Sequence, residues 1–197
     1  MQLELLIIDI ALIGDREMAR KKDWLLEVAG VILILAEIIF VFALIGVVIG
    51  IIAMLTFARA KVLANLAAAG APTSTYWIAI VVLVLVWIML GLSMLFVRQL
   101  RAIVGTVNDG DPFLPDNAGR LARMGWYALG SQACEFAAQP AIAAYGEYAG
   151  IFGKGIAGRM LSEHVSLAPL ALALVLFILA RVFRQGAAMR ADLEGTV

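Results

Sequence analysis

Three long runs of apolar residues dominate the pattern of polar and apolar positions. They cover residues 28–57, 76–97 and 167–183, and each holds few polar side chains. A helix rises 1.5 Å per residue and needs about 20 apolar residues to cross a hydrocarbon core about 30 Å thick. The first run would reach roughly 45 Å as a helix, so it must tilt or project from the bilayer. The pattern therefore predicts a membrane-spanning helix at each run.

A fourth and weaker run covers residues 125–148 and is rich in alanine and glycine. It carries Gln132, Glu135, Gln139 and Pro140, and polar groups that face lipid are costly. This helix is therefore either shielded by the other helices or does not span.

The basic residues favour four spans over three. They form clusters at residues 16–22, 98–123 and 181–190, whereas the other connections hold only Arg59 and Lys61, then Lys154 and Arg159. Four spans place all three clusters on one side, as the positive-inside bias requires. We therefore predict an all-α integral membrane protein of the bacterial inner membrane. Its bundle of four transmembrane helices has both termini in the cytoplasm (N-in/C-in).

This topology divides the chain into segments. Residues 1–27 form a cytoplasmic N-terminal segment, either an interfacial helix or an extension upstream of a start at Met18. Residues 28–184 form the transmembrane domain with a cytoplasmic loop at 98–124, and residues 185–197 form a tail. In the loop, we expect Asn108-Asp109-Gly110 to end the second helix. Asp116 or Asn117 would cap the third.

Composition supports a membrane protein and excludes several kinds of site. Hydrophobic residues make up 63% of the chain and charged residues 15%, against roughly half and a quarter in soluble domains. The net charge of zero gives no reason to expect direct binding to nucleic acid. The single Cys134 and the single His164 exclude an intramolecular disulfide and a histidine-rich metal site. We expect no metal, no cofactor and no catalytic residue.

Two motifs are similar to a known family. The loop reads NDGDPFLPDNAGRLARMGW at residues 108–126, and the tail reads ARVFRQGAAMRADLEGTV at residues 180–197. Together they resemble the family called domain of unknown function 2975. The matching residues are Gly110, Pro112, Phe113, Asn117, Arg120, Leu121, Gly125, Phe183, Gly186, Met189, Asp192, Leu193, Thr196 and Val197. The resemblance covers four helices from roughly Met18 to Val197.

What the resemblance implies about function is limited. The activity of the family is unassigned and no catalytic residues come with it. Its genes often lie beside one for a small helix-turn-helix regulator, which implies a membrane partner that holds or releases a transcription factor.

Two intramembrane carboxyl groups are the first candidate site. Glu37 and Glu135 each lie about ten residues from the cytoplasmic side of their predicted spans, or roughly 14 Å deep. One hypothesis is a pair that shares a proton or responds to a ligand. The alternative is that each is a neutral acid bonded to Gln132, Gln139 or Ser93, which holds helices together.

The loop and the tail are the second candidate site. The loop offers Pro112, Phe113, Asn117, Arg120 and Leu121, and the tail offers Phe183, Gly186, Met189, Asp192, Leu193 and Val197. They predict either a docking surface or a solvated helix end near anionic lipid.

Three functions follow as hypotheses. The first is a sensor or anchor for a small helix-turn-helix protein. The second is an accessory subunit of a larger membrane complex or a homodimer. The third is a small transporter whose polar path uses Glu37, Gln132, Glu135 and Gln139.

Overall fold

The computed structural model describes residues 2–68, 70–110, 113–146 and 167–194. These residues are helical apart from short turns, which confirms the all-α class. The helices are α1 (Gln2–Leu55), α2 (Arg59–Ala68), α3 (Ser74–Asn108), α4 (Pro115–Gly146) and α5 (Ala168–Glu194).

Three of these helices contain segments long and apolar enough to cross a membrane. The segments are Trp24–Leu55 of α1, Ser74–Asn108, which is the whole of α3, and Ala168–Asp192 of α5. They coincide with the three strongly apolar runs of the sequence and indicate a membrane protein. The fourth run lies in α4, which is less apolar and is not among these segments.

The first helix is longer than the first apolar run. α1 continues without a break from Gln2 to Leu55, so the N-terminal segment and the apolar run form one helix about 80 Å long. α1 packs mainly along α3. Many of its large apolar side chains from Trp24 to Leu55 are exposed, as expected for a helix that faces lipid.

α4 lies between α3 and α5 and runs antiparallel to both. Near its start, Asn117 contacts Thr106 of α3, and further along Gly130 contacts Leu92. On the other side, a Cβ atom at Gly125 would lie 2.9 Å from the ring of Phe177 in α5. Small residues of this kind let neighbouring helices approach closely. α3 and α5 thus flank α4, which is the least apolar of the long helices.

A buried apolar core joins α3, α4 and α5 near the loop. Leu121 and Met124 of α4 pack against Leu176 and Ala180 of α5. Phe96, Leu100 and Ile103 of α3 cover the same cluster. Because lipid tails are as apolar as these side chains, the cluster holds the three helices together through van der Waals contact.

The connection between α1 and α3 holds a helix that the apolar pattern did not predict. α2 covers the opposite end of the molecule from the loop, where Leu66, Ala71 and Tyr76 are buried together. The hydroxyl of Tyr76 donates a hydrogen bond of 2.8 Å to the carbonyl oxygen of Met54. This bond ties the start of α3 to the end of α1.

The loop bears out one local prediction and corrects another. α3 ends at Asn108, and Gly110 has φ +84°, which confirms the predicted break because glycine adopts positive φ readily. The predicted cap at Asp116 or Asn117 is wrong: α4 begins at Pro115, so both lie in its first turn. Proline suits this position since its missing N–H would be unpaired there.

α5 continues past the predicted end of the last span at residue 183. Its helix runs through Phe183 to Glu194, so most of the tail is helical. Pro112, residues 147–166 (including the end of the fourth run), Thr196 and Val197 lie outside the described residues.

Candidate functional site

An aromatic contact joins the loop to the tail. The ring of Phe113 lies 5.4 Å from the ring of Phe183, centroid to centroid. A Cβ atom at Gly186 would lie 3.0 Å from the Cδ1 atom of Phe113, so the ring rests directly on the backbone of α5. We call Phe113, Phe183 and Gly186 the loop–tail junction. Phe113 remains 43% exposed, and Met189, one turn beyond Gly186, is 63% exposed.

A polar network fixes the start of α4 against the end of α3. Asn117 is 0% exposed, and its Nδ2 donates to the hydroxyl of Thr106 at 2.7 Å. Arg120 Nη1 donates to Asn117 Oδ1 at 2.8 Å and to the carbonyl oxygen of Ala102 at 3.2 Å. Buried polar groups of this kind stabilise a fold only when they are paired. The network therefore explains why a polar Asn and Arg occur at a helix contact.

The structure separates the candidate loop residues into two groups. Asn117 and Leu121 are buried and Arg120 is half-buried, so these three hold helices together and present little surface. Among the described residues of this group, Phe113 alone offers an exposed apolar face. In the tail, Met189 and Asp192 are exposed. Leu193 is helical, but its side chain lies outside the described residues, as does all of Val197.

The first carboxyl group lies in an ion pair. Glu37 Oε2 lies 2.9 Å from Arg101 Nη1, with the Glu37 side chain 14% exposed and that of Arg101 44% exposed. The second oxygen, Oε1, is buried and has no hydrogen-bond partner among the described residues. Arg101 belongs to a basic cluster that indicates orientation, but a single sequence does not show which acid on another helix it meets.

The second carboxyl group has a neighbour on its own helix. Gln132 Nε2 donates to Glu135 Oε2 at 3.0 Å. Gln132 is 2% exposed, and its Oε1 has no hydrogen-bond partner within the described part of the chain. Gln132 is one of the partners that we predicted for Glu135 under the hypothesis that the acid has a structural role. Gln139 lies one turn further along α4 and is half-buried.

The two carboxyl groups have different partners. Glu37 pairs with Arg101 of α3, whereas Glu135 accepts a hydrogen bond from Gln132 of its own helix. No contact between Glu37 and Glu135 occurs among the described residues, and their equal depth stays a prediction.

A cavity for which the sequence offers no candidate lies between the four long helices. It has a volume of about 540 Å³ and an apolar lining that includes Phe40 of α1, Phe96 and Val97 of α3, and Leu172 of α5. α4 contributes Tyr127 and Ala128. The cavity lies where α1, packed along α3, leaves a gap beside α4 and α5. Among the described residues, no group of three or more His, Cys, Asp or Glu could hold a metal ion.

These features indicate a helical membrane protein: it has three long apolar helices, a less apolar helix between two of them, and a loop packed on the last helix. Residues 62–197 match the family described as protein of unknown function (DUF2975), and the chain belongs to this family. The match covers most of α2 and all of α3, α4 and α5, whereas we expected it to begin near Met18. No curated protein and no solved structure matches the chain.

Proposed function

We propose that this protein is a four-span anchor in the bacterial inner membrane that docks a small cytoplasmic helix-turn-helix protein at its loop–tail junction. The observation that carries the proposal is the contact of Phe113 with Phe183 and Gly186. It joins two segments far apart in the sequence into one surface with exposed apolar side chains. The partner's class comes from the family resemblance, and the surface is our assignment.

The direction of the helices supports four spans. The end of α3, the start of α4 and the tail of α5 lie together, because Asn117 contacts Thr106 and Phe113 contacts Gly186. α3 and α5 therefore run parallel, and the chain between them must return across the same thickness. α4 runs antiparallel to both and is about 48 Å long, which is enough to cross.

The distribution of arginine supports the orientation. Arg98, Arg101, Arg120 and Arg123 lie on α3 and α4 near the loop, and Arg181 and Arg184 lie at the same end of α5. Arg59 and Lys61 lie at the opposite end in α2. Since an excess of basic residues marks the cytoplasmic side, we place the loop–tail junction in the cytoplasm.

The exposed apolar residues make the junction suitable for a protein partner. Phe113 and Met189 lie at the arginine-bearing end, where the proposed orientation places them at or beyond the membrane surface. Aromatic residues and methionine are enriched at protein interfaces. The buried network of Asn117 and Arg120 holds the start of α4 rigidly beneath this surface.

An accessory subunit of a larger complex is the second candidate function. It is favoured by α1, which packs mainly on α3 and exposes large apolar side chains such as Ile39 and Phe42. A transporter is favoured less, because its polar path would need Glu37 and Glu135 in one conduit. We propose no enzymatic activity.

The test is gentle solubilisation of native membranes, followed by identification of the proteins that co-purify with the chain. If the protein is an anchor, a small helix-turn-helix protein should co-purify with it. The Met189→Asp variant should no longer retain that partner. Ala188→Asp is the matched control because it adds the same charge at an exposed neighbouring position on another face of α5. Recovery of a fixed set of membrane subunits in place of such a protein would overturn the anchor and support the accessory subunit.

A further inference from the structure

A second and smaller cavity lies between α1 and α3 at the arginine-bearing end of the molecule, and we call it the α1–α3 groove. Its lining includes Glu27, Gly30 and Ile34 of α1 and Arg101, Gly105 and Asn108 of α3. Within each helix these residues recur every three or four positions, so each helix presents one face to the groove. The groove therefore holds an acid, a guanidinium and an amide beside small and apolar residues.

Two glycines keep the groove open. A Cβ atom at Gly30 or at Gly105 would meet no neighbouring atom within 4 Å, so other side chains do not fill the space at these positions. The groove has a volume of about 200 Å³, which is below the roughly 300–1,000 Å³ of a pocket for a whole ligand. Its size therefore suits one part of a larger molecule, such as the headgroup of a lipid.

The guanidinium and the acid lie at opposite ends of the groove. α1 and α3 are antiparallel, and Glu37 of α1 pairs with Arg101 of α3. Glu27 lies ten residues before Glu37, which places it about 15 Å nearer the loop-side end along α1. Arg101 therefore marks the inner end of the groove, and Glu27 lies towards its outer end, where α3 finishes at Asn108.

Both charged groups can still bind a ligand. The Arg101 side chain is 44% exposed and uses Nη1 for Glu37, and a guanidinium has five N–H donors, so others remain for a phosphate. Glu27 is exposed and makes no ion pair within the part of the chain that the structure describes. Its carboxylate and the amide oxygen of Asn108 can accept hydrogen bonds from a primary ammonium. Because Glu27 and Glu37 outnumber Arg101, the groove favours a phosphate that brings its own cation.

We propose that the α1–α3 groove binds the headgroup of phosphatidylethanolamine, with the phosphate at Arg101 and the ammonium at Glu27 and Asn108. This order matches the lipid, whose phosphate is nearer its acyl chains than its ammonium is. Phosphatidylcholine has a quaternary ammonium without N–H donors, and phosphatidylglycerol has no cation, so both fit the groove less well. The inference rests on the proposed function only in placing the arginine-bearing end at a membrane surface.

Photo-crosslinking in nanodiscs tests the site. The full-length chain is placed in phosphatidylcholine nanodiscs that contain a trace of phosphatidylethanolamine with a photoreactive acyl chain. The comparison lipids are phosphatidylcholine and phosphatidylglycerol that carry the same chain. We expect phosphatidylethanolamine to label α1 and α3 at least threefold more than either comparison lipid. Labelling by a comparison lipid that equals or exceeds it would overturn the proposal.

Matched variants locate the effect, and a thermal melt of each one checks folding. Glu27→Gln should remove most of the preference over phosphatidylcholine, whereas Asp116→Asn, at an exposed acid outside the groove, should leave it unchanged. Gly105→Leu should lower the labelling because the new side chain fills the groove, and Gly119→Leu, at an exposed glycine of α4, is its control. Gly30→Leu fills the groove from α1 and takes the place of Gly105→Leu if that variant does not fold. An unchanged preference in folded Glu27→Gln contradicts the site.

A soluble headgroup separates a lipid site from a site for a small metabolite. Glycerophosphoethanolamine has the same headgroup without acyl chains, and at the same concentration as the lipid it should not reduce the labelling. Displacement of the lipid would show that the headgroup binds without its chains, which would overturn the assignment to a lipid.

These experiments need no cytoplasmic partner, and Met189 is not part of the groove. Selective labelling together with no captured helix-turn-helix protein would retain the lipid site and reject the anchor. Capture of such a protein without selective labelling would retain the anchor and reject the lipid site.

Discussion

The carboxylate of Glu37 lies 2.9 Å from the guanidinium of Arg101, and this ion pair fixes the register of α1 along α3. Counted from the start of its apolar run, Glu37 would lie roughly 14 Å deep. Its partner instead belongs to the arginine-bearing end of α3. Leu26 and Gly30 lie still further out, beside Asn108 at the end of α3. The first apolar run therefore extends to the arginine-bearing end of the molecule.

The ion pair predicts an energetic coupling between α1 and α3. Glu37→Gln and Arg101→Gln should each destabilise the protein, since each leaves the other charge without its partner. The double variant should recover about 1 kcal/mol relative to the sum, because Arg101 is partly exposed and the attraction is screened. The measurement is a double-mutant cycle on the free energy of unfolding in mixed micelles. Additive effects within about 0.3 kcal/mol would show that the pair contributes nothing.

Two glycines of α4 predict effects of opposite sign. Gly125→Ala should destabilise the protein by about 1–3 kcal/mol, as overpacking does, because the new Cβ would lie 2.9 Å from the ring of Phe177. Gly119→Ala has nothing within 4 Å and should be neutral or stabilise the helix by up to about 1 kcal/mol. Thermal unfolding of both variants in one detergent measures the difference. A Gly125→Ala variant as stable as Gly119→Ala would contradict the close contact of α4 and α5.

Replacing the buried amide of Asn117 should lower the free energy of unfolding substantially. Asn117→Ala removes the acceptor of Arg120 and the donor to Thr106, and the loss of these two hydrogen bonds should cost about 1–3 kcal/mol. Asp116→Ala, at an exposed neighbouring position, should change stability by about 0.5 kcal/mol or less. Chemical unfolding monitored by tryptophan fluorescence compares them. Similar stabilities for the two variants would show that the polar network does not stabilise the loop.

The four-span topology predicts a pattern of labelling by a membrane-impermeant maleimide. In a Cys134→Ala background, single cysteines replace the exposed residues Glu27, Thr73, Asp109 and Gln185. Only the cysteine at Thr73 should react in intact cells, and the other three should react after permeabilisation. Reaction at Gln185 from outside, with Asp109 protected, would instead indicate that α4 does not cross.

Local features of the fold could be predicted from the sequence because they depend on neighbouring residues. The apolar runs predicted the three strongly apolar helices, and Asn108-Asp109-Gly110 predicted the end of α3. The helix α2 could not be predicted in the same way, because its one buried residue, Leu66, is covered by residues of other segments such as Tyr76.

The candidate site was predictable as a set of residues but not as an arrangement. The apolar pattern singled out Glu37 and the loop motif singled out Phe113, yet their partners Arg101 and Phe183 are distant in the sequence. Asn117 and Leu121 are part of the family's motif, but their burial shows that they position helices. The cavity has no sequence signal of its own, because it arises where side chains from four helices fail to meet.

The partner of Glu37 also has a consequence for biosynthesis. Arg101 leaves the ribosome about sixty residues after Glu37, so the first helix must enter the bilayer while its acid is still unpaired. Intramembrane acids oppose insertion, and chains truncated before Arg101 should therefore insert α1 less efficiently than the same chains carrying Glu37→Leu. Protease protection in inverted membrane vesicles measures the difference. Equal protection would mean that the nascent helix shields this acid without α3.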